Sequence, residues 1–156
     1  MEEVSSGIRA AIVKSAVPVL ANIRDEWHWL GPELADLIND NPDVQALPED
    51  VYAECRTGHA HLWLTDQYTV ITEFEVDEYT GERDLCLAYA WARERGGRLA
   101  PVALDYLEQF ARANKCKAIT FGTRHQPLID YLCSDAGFRV STQILRRDVG
   151  ENNGLT

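Results

Sequence analysis

The chain has 156 residues, 46% of them apolar, enough for one domain with a real core, and carries a formal net charge of −10. That charge argues against a nucleic-acid or anionic-membrane surface, because either partner would be repelled. No run of apolar residues approaches the ~20 needed to span a bilayer, and Met1-Glu2-Glu3-Val4 opens on acids with no basic, then apolar, leader pattern.

Taken in chain order, Ile8–Val13 suits a first strand or a short helix. Ser15 can cap a helix and Pro18 suits its first turn. Val17, Leu20, Ile23, Trp27 and Leu30 then recur at helical spacing. Gly31-Pro32 predicts a break, followed by a short helix from Glu33 to Asp40 that ends at Asn41-Pro42. Pro48 opens another short helix, with acids in its first turn and Gly58 at its end.

From there the period changes from helical to alternating. His61–Leu64, Tyr68–Val76 and Arg83–Trp91 read as three strands, separated by turns at Asp66-Gln67 and Tyr79-Thr80-Gly81, and predict an antiparallel meander. The loop Arg93-Glu94-Arg95-Gly96-Gly97-Arg98 leads into a helix over Ala100–Asn114, whose apolar face is Val102, Ala103, Tyr106, Leu107, Phe110 and Ala111. A short strand at Ala118–Phe121, a helix at Pro127–Cys133, a stop at Gly137 and a last strand at Phe138–Leu145 complete the pattern. The domain divides into an N-terminal segment 1–46, a core 47–149 and a tail 150–156. Strands in a run, then a strand–helix–strand unit, predict an α+β fold: a mixed, mostly antiparallel sheet flanked by helices.

Several constellations carry possible chemistry. Cys55, Cys86, Cys116 and Cys133 form no Cys-x-x-Cys pair and read as reduced thiols. Cys55, His59 and His61 lack a fourth ligand nearby, so no metal site is assigned. Cys133, His125 and Asp130 make a nucleophilic triad only on paper. Trp27 fits an apolar helix face while Trp29 lies about 200° from it, so both are candidates for contact with a partner chain. Arg93, Arg95 and Arg98 form a basic trio on an acidic chain, suited to an acidic partner surface.

The strand order, the Gly-containing loop before the main helix and the ending Tyr131-Leu132-Cys133-Ser134-Asp135-Ala136-Gly137-Phe138 resemble the GNAT superfamily of N-acetyltransferases. Gly58-x-Ala60-x-Leu62-Trp63, Thr72-Glu73 and Asn114–Ile119 are further similar to small GNAT-like proteins of tailed bacteriophages. That second resemblance implies a virion-associated structural component in the virion or host cytoplasm, docking to phage structural proteins as a homo-oligomer, with a degenerate cofactor site and no cofactor.

The alternative it leaves open is an acetyl-CoA-dependent N-acyltransferase acting on an amine. In that case Arg93, Gly96, Gly97 and Arg98 would hold the pyrophosphate, through backbone N–H groups and a helix N-terminus. Neither register of the loop completes the family's Gln/Arg-x-x-Gly-x-Gly/Ala pattern, so it reads equally as a strand-to-helix turn with its arginines in solvent. Glu73 or Glu75, on one face of the second meander strand, would serve as general base. The family's leaving-group acid, a Tyr five residues before the Gly-Phe aromatic, falls on Cys133 here, with Tyr131 two residues away.

Overall fold

The computed structural model describes residues 14–150. The elements are β1 (Val19–Ala21), α1 (Ile23–Asn39), α2 (Pro48–Thr57), β2 (Ala60–Leu64), β3 (Tyr68–Val76), β4 (Arg83–Ala92), α3 (Pro101–Ala113), β5 (Cys116–Phe121) and α4 (Gln126–Asp135). They fall into two compact units, one through Gly122 and one from Thr123. The expected strand or helix at Ile8–Val13, and the tail beyond Gly150, lie outside the described residues.

The first unit is built on a five-stranded sheet in the order β1-β2-β3-β4-β5. β1 to β4 pair antiparallel and β5 pairs parallel to β4, after the crossover through α3. The fold is therefore α+β with a mixed, mostly antiparallel sheet, as the sequence predicts.

Three local expectations need correction. The segment after Ser15 does not start a helix. Val19, Leu20 and Ala21 instead pair with Leu64, Trp63 and Leu62 as the edge strand. Pairing with an existing strand outweighs an apolar spacing that matched a helix by coincidence. The true helix cap is Asn22, whose side-chain oxygen accepts from the Arg24 N–H at 3.0 Å.

Second, α1 runs unbroken through Gly31-Pro32. Proline in a helix interior loses one hydrogen bond, but Leu30 and Leu34 straddle the pair and are both fully buried. Their shared burial holds the helix together across the defect. Gly31 has its own reason to be glycine: a Cβ there would lie 3.0 Å from the Trp27 ring.

Third, Phe138–Leu145 forms no strand among the described residues. The remaining elements keep their expected places within a residue or two, including β3 over Tyr68–Val76.

Alternation sorts the sheet into two faces. Ala60, Leu62, Leu64 and Ile71 pack with Ile23, Leu30, Leu34 and Val51 from α1 and α2. The other face meets α3, where the Phe110 ring stands 4.9 Å from Trp63 and 5.9 Å from Phe74, centroid to centroid. Trp63 Nε1 donates to Thr72 Oγ1 at 2.9 Å, so the buried indole N–H is paired.

Candidate functional site

The antiparallel register of β3 and β4 slips at the centre of the sheet. Ile71 stands opposite Tyr89, yet its neighbour Thr72 stands opposite Leu87. Ala88 is the extra residue of a β-bulge. Normal alternation would put Cys86, Ala88 and Ala90 on one face. The bulge shifts the parity, so Cys86 and Tyr89 face the same way, beside Glu73 and Ile71 of β3. The parallel ladder from β4 to β5 also stops here, at Leu87 opposite Phe121. Beyond it, β4 keeps β3 on one edge and pairs with no strand on the other among the described residues.

A cavity of about 190 Å³ opens where the bulge turns Tyr89 toward α2. It is lined by Asp50 and Glu54 of α2, Glu73 of β3 and Tyr89 of β4, on a floor that includes Val51, Ala60 and Ile71. Its charged lining is entirely acidic. Asp50 and Glu54 are one helical turn apart and so share a face of α2.

Glu73 is the half-buried member of this set. Burial raises its carboxyl above the ordinary range, and the charge of Glu54, a hydrogen bond to Glu54 and the charge of Glu75 push the same way. Burial is also the main cause that raises the Tyr89 phenol, reinforced by Glu73, Glu54 and Asp50. Tyr89 therefore stays protonated at neutral pH. Two neighbouring thiols respond alike. Cys55 is pushed up to about 12 by burial and then by Glu54 and Glu73. Cys86 is pushed up to about 12 by burial, with Glu75 and Glu73 adding to it.

Glu73, Glu75 and Cys86 carry ligand atoms that all lie within 4.8 Å of one another, a set with the donor chemistry for a divalent cation. A metal would first have to displace the firmly held Cys86 proton. The Cys55, His59 and His61 trio does not converge. His59 Nδ1 is within 2.7 Å of Thr57 Oγ1, while His61 sits edge-on to Phe74 and Phe110 on the opposite face of the sheet from Cys55.

The arginine loop is held from within. The Arg93 N–H donates to Gln67 O at 2.8 Å, and its guanidinium donates to Thr65 O at 2.9 Å while lying 5.4 Å above the Trp29 ring. The Gly97 N–H donates to Glu94 O and the Arg98 N–H to Gln67 Oε1, each at 3.0 Å. Gly96 has φ +83°, which glycine takes without strain. A Cβ on Gly97 would lie 2.9 Å from the Gln67 carbonyl oxygen. Pro101 opens α3 without an N–H of its own. Arg95 and Arg98 point their charge to solvent, as exposed residues.

Trp27 and Trp29 are half-buried against the core, Trp27 edge-on to Tyr52 at 4.9 Å and Trp29 donating from Nε1 to Glu26 at 3.0 Å. Trp29 thus packs inward, although its helical angle pointed it off the apolar face. In the second unit Cys133 is exposed and Tyr131 half-buried on α4.

Of the residues singled out from sequence, the fold brings Glu73 and Glu75 together and sets Glu73 in the cavity. Asp50, Glu54 and Tyr89 escaped that reading. The i,i+4 spacing of the two acids on a short helix was a usable signal; the orientation of Tyr89 was not, because it depends on the bulge.

Three solved acetyltransferases share this fold. Ribosomal-protein-alanine N-acetyltransferase from Brucella melitensis biovar Abortus is 18% identical with a TM-score of 0.55, over 83% of this chain and 99% of that one. Glucosamine-6-phosphate N-acetyltransferase from Arabidopsis thaliana is 11% identical with a TM-score of 0.59, over 85% and 97%. A Trypanosoma brucei acetyltransferase is 12% identical with a TM-score of 0.56, over 85% and 98%. No protein-family model and no curated protein matches the chain. The chain has the GNAT acetyltransferase fold.

Proposed function

We propose that the chain is an acyl-CoA-dependent N-acyltransferase that takes its amine in the acidic cavity beside the β4 bulge. The observation that carries this is Glu73: a half-buried carboxyl in a cavity, raised above the ordinary carboxylate range, on a fold shared with acetyltransferases. An amine arrives as an ammonium ion, and Asp50, Glu54 and Glu73 attract it. Glu73 then removes the proton that must leave before the nitrogen lone pair can attack. Its raised proton affinity narrows the gap to the amine and makes that transfer easier. Tyr89, held protonated, is the proton donor within reach of the same cavity. It adds a candidate proton donor to Cys133 and Tyr131, the two read from the sequence.

Acyl-CoA, when bound, supplies the activated thioester. The residues fit it in part. The edge of β4 beyond Leu87 offers backbone amides and carbonyls to an amide-bearing chain. The N–H groups of Arg93, Gly97 and Arg98 are already engaged. Charge for a pyrophosphate would therefore come from the side chains of Arg95 and Arg98, with Gly96 leaving room for approach.

That same engagement of the loop favours a second reading: a docking component with a degenerate cofactor site, the role implied by the resemblance to phage proteins. Calorimetric titration with acetyl-CoA separates the two. Binding in the micromolar range that Arg95→Ala/Arg98→Ala weakens, with transfer to a primary amine, supports the enzyme. Absence of binding at millimolar ligand discards it in favour of docking.

A further inference from the structure

The turn between β2 and β3 and the loop between β4 and α3 meet at one residue, Gln67. Its backbone carbonyl accepts the Arg93 N–H at 2.8 Å, and its side-chain Oε1 accepts the Arg98 N–H at 3.0 Å. Arg93 is where the chain enters the loop from β4, and Arg98 is where it leaves toward α3. One residue therefore closes both ends of the loop. The glycine next to Arg98 is fitted to the same carbonyl, since a Cβ on Gly97 would lie 2.9 Å from Gln67 O.

The turn is built to hold Gln67 still. Thr65 is buried, and its Oγ1 accepts the N–H of Gln67 at 3.2 Å and that of Tyr68 at 2.9 Å. The Thr65 N–H donates to Tyr68 O at 2.9 Å. Thr65 O in turn accepts the Arg93 guanidinium at 2.9 Å. The loop is the softer partner. Gly96 and Gly97 give it wide backbone freedom, and ordering such a loop at the moment a ligand binds costs conformational entropy.

The two ties differ in kind. The one at Arg93 runs from main chain to main chain. The one at Arg98 depends on the Gln67 side chain, which belongs to an exposed residue and can be altered without disturbing the core. We propose that Gln67 is a positioning residue for acyl-CoA: it fixes the Arg98 backbone, and so holds the Arg95 and Arg98 guanidinium groups ready for the pyrophosphate before the cofactor arrives. This rests on the acyl-CoA reading above. Gln67 touches no reacting atom. It acts through Arg98, by removing from the binding step the cost of ordering the loop.

Gln67→Ala tests the idea with two readouts. In the free protein, hydrogen exchange of the Arg98 amide should speed up, while the melting temperature stays at the wild-type value. Calorimetry should then show acetyl-CoA binding weakened by about 3- to 10-fold, the worth of one hydrogen bond. KM for the amine and kcat should not move. Gln67→Glu keeps an acceptor for the Arg98 N–H, so its Arg98 amide should exchange as slowly as in the wild type. An Arg98 amide that exchanges equally in wild type and Gln67→Ala overturns the clamp. Unchanged acetyl-CoA affinity in Gln67→Ala, with a wild type that binds, overturns the positioning role and leaves the acyl-CoA reading standing. A lower melting temperature with both KM values raised also overturns it, because that is the mark of a merely structural residue. A wild type that binds no acetyl-CoA at millimolar ligand overturns the acyl-CoA reading and this role with it.

Discussion

Glu54 on α2 and Glu73 on β3 line the same cavity, and the charge of Glu54 with a side-chain hydrogen bond to it adds to burial in raising the Glu73 carboxyl. The negative charge of Glu54 raises the cost of ionising Glu73. Glu73→Gln keeps the shape and removes the base. It should lower kcat for acyl transfer to a primary amine by about 10²- to 10⁴-fold, the usual contribution of a positioned general base. Glu54→Gln should cost far less and move the acid limb of the rate profile to lower pH. Equal loss in the two variants would mean that Glu73 is not the base.

The pH dependence has opposite signs for activity and for stability. Activity needs Glu73 ionised, so kcat should fall on acidification with a midpoint above the ordinary 4.5. Stability follows the proton. The folded carboxyl holds it more tightly than the unfolded one, so the contribution is full below about pH 4.5 and is lost as pH rises through the raised value. Urea unfolding of Glu73→Gln should therefore show a gain over wild type above neutrality, and little difference at pH 4.

Gly96 and Gly97 are neighbours held as glycine for different reasons. Gly97→Ala drives a Cβ to 2.9 Å from the Gln67 carbonyl, which also accepts from the Arg93 N–H, so it should destabilise by about 1–3 kcal/mol. Gly96→Ala meets no atom within 4 Å and pays only for its positive φ, about 1–2 kcal/mol. Gly96→Asn should recover much of that, whereas Gly97→Asn should not. Thermal melts of the four variants check the pattern.

Pro32 sits exposed in the interior of α1. Restoring its N–H with Pro32→Ala should raise stability by about 1–3 kcal/mol, part of the helix-interior penalty of proline. Leu34→Ala, two residues on, should lower it by about 2–5 kcal/mol through an unfilled space in the core. Denaturant midpoints for the two, measured side by side, separate backbone cost from core packing.

The sheet was legible wherever local chemistry and tertiary packing agree. Tyr68–Val76 is rich in β-branched and aromatic residues and pairs along its whole length, so its bounds could be read directly. Pro48 and Gly58 bracket α2 for reasons confined to α2 itself. Legibility failed where a distant partner decides. Val19–Ala21 is a strand because Leu62–Leu64 is there to receive it. Gly31-Pro32 does not break α1 because Leu30 and Leu34 are buried on either side. Phe138–Leu145 reads as a strand but forms none among the described residues. In the site, Glu73 was visible as an acid on a strand face, but Asp50 and Glu54 needed the packing of α2 on the sheet, and Tyr89 needed the bulge.

That single inserted residue, Ala88, acts on β4 as a frameshift acts on a message. Everything downstream is read in the other phase. Pairing Ala88 opposite Ile71 instead of bulging it out would restore simple alternation and turn Tyr89 away from Glu73. Trp91 would turn with it and lose the bond that its Nε1 makes to Glu33 Oε1 at 3.0 Å, which ties the end of β4 to α1. A slip of one residue here would thus reach well past Ala88 itself. It would exchange, in one stroke, which residues belong to the acidic cavity and which belong to the floor beneath α3.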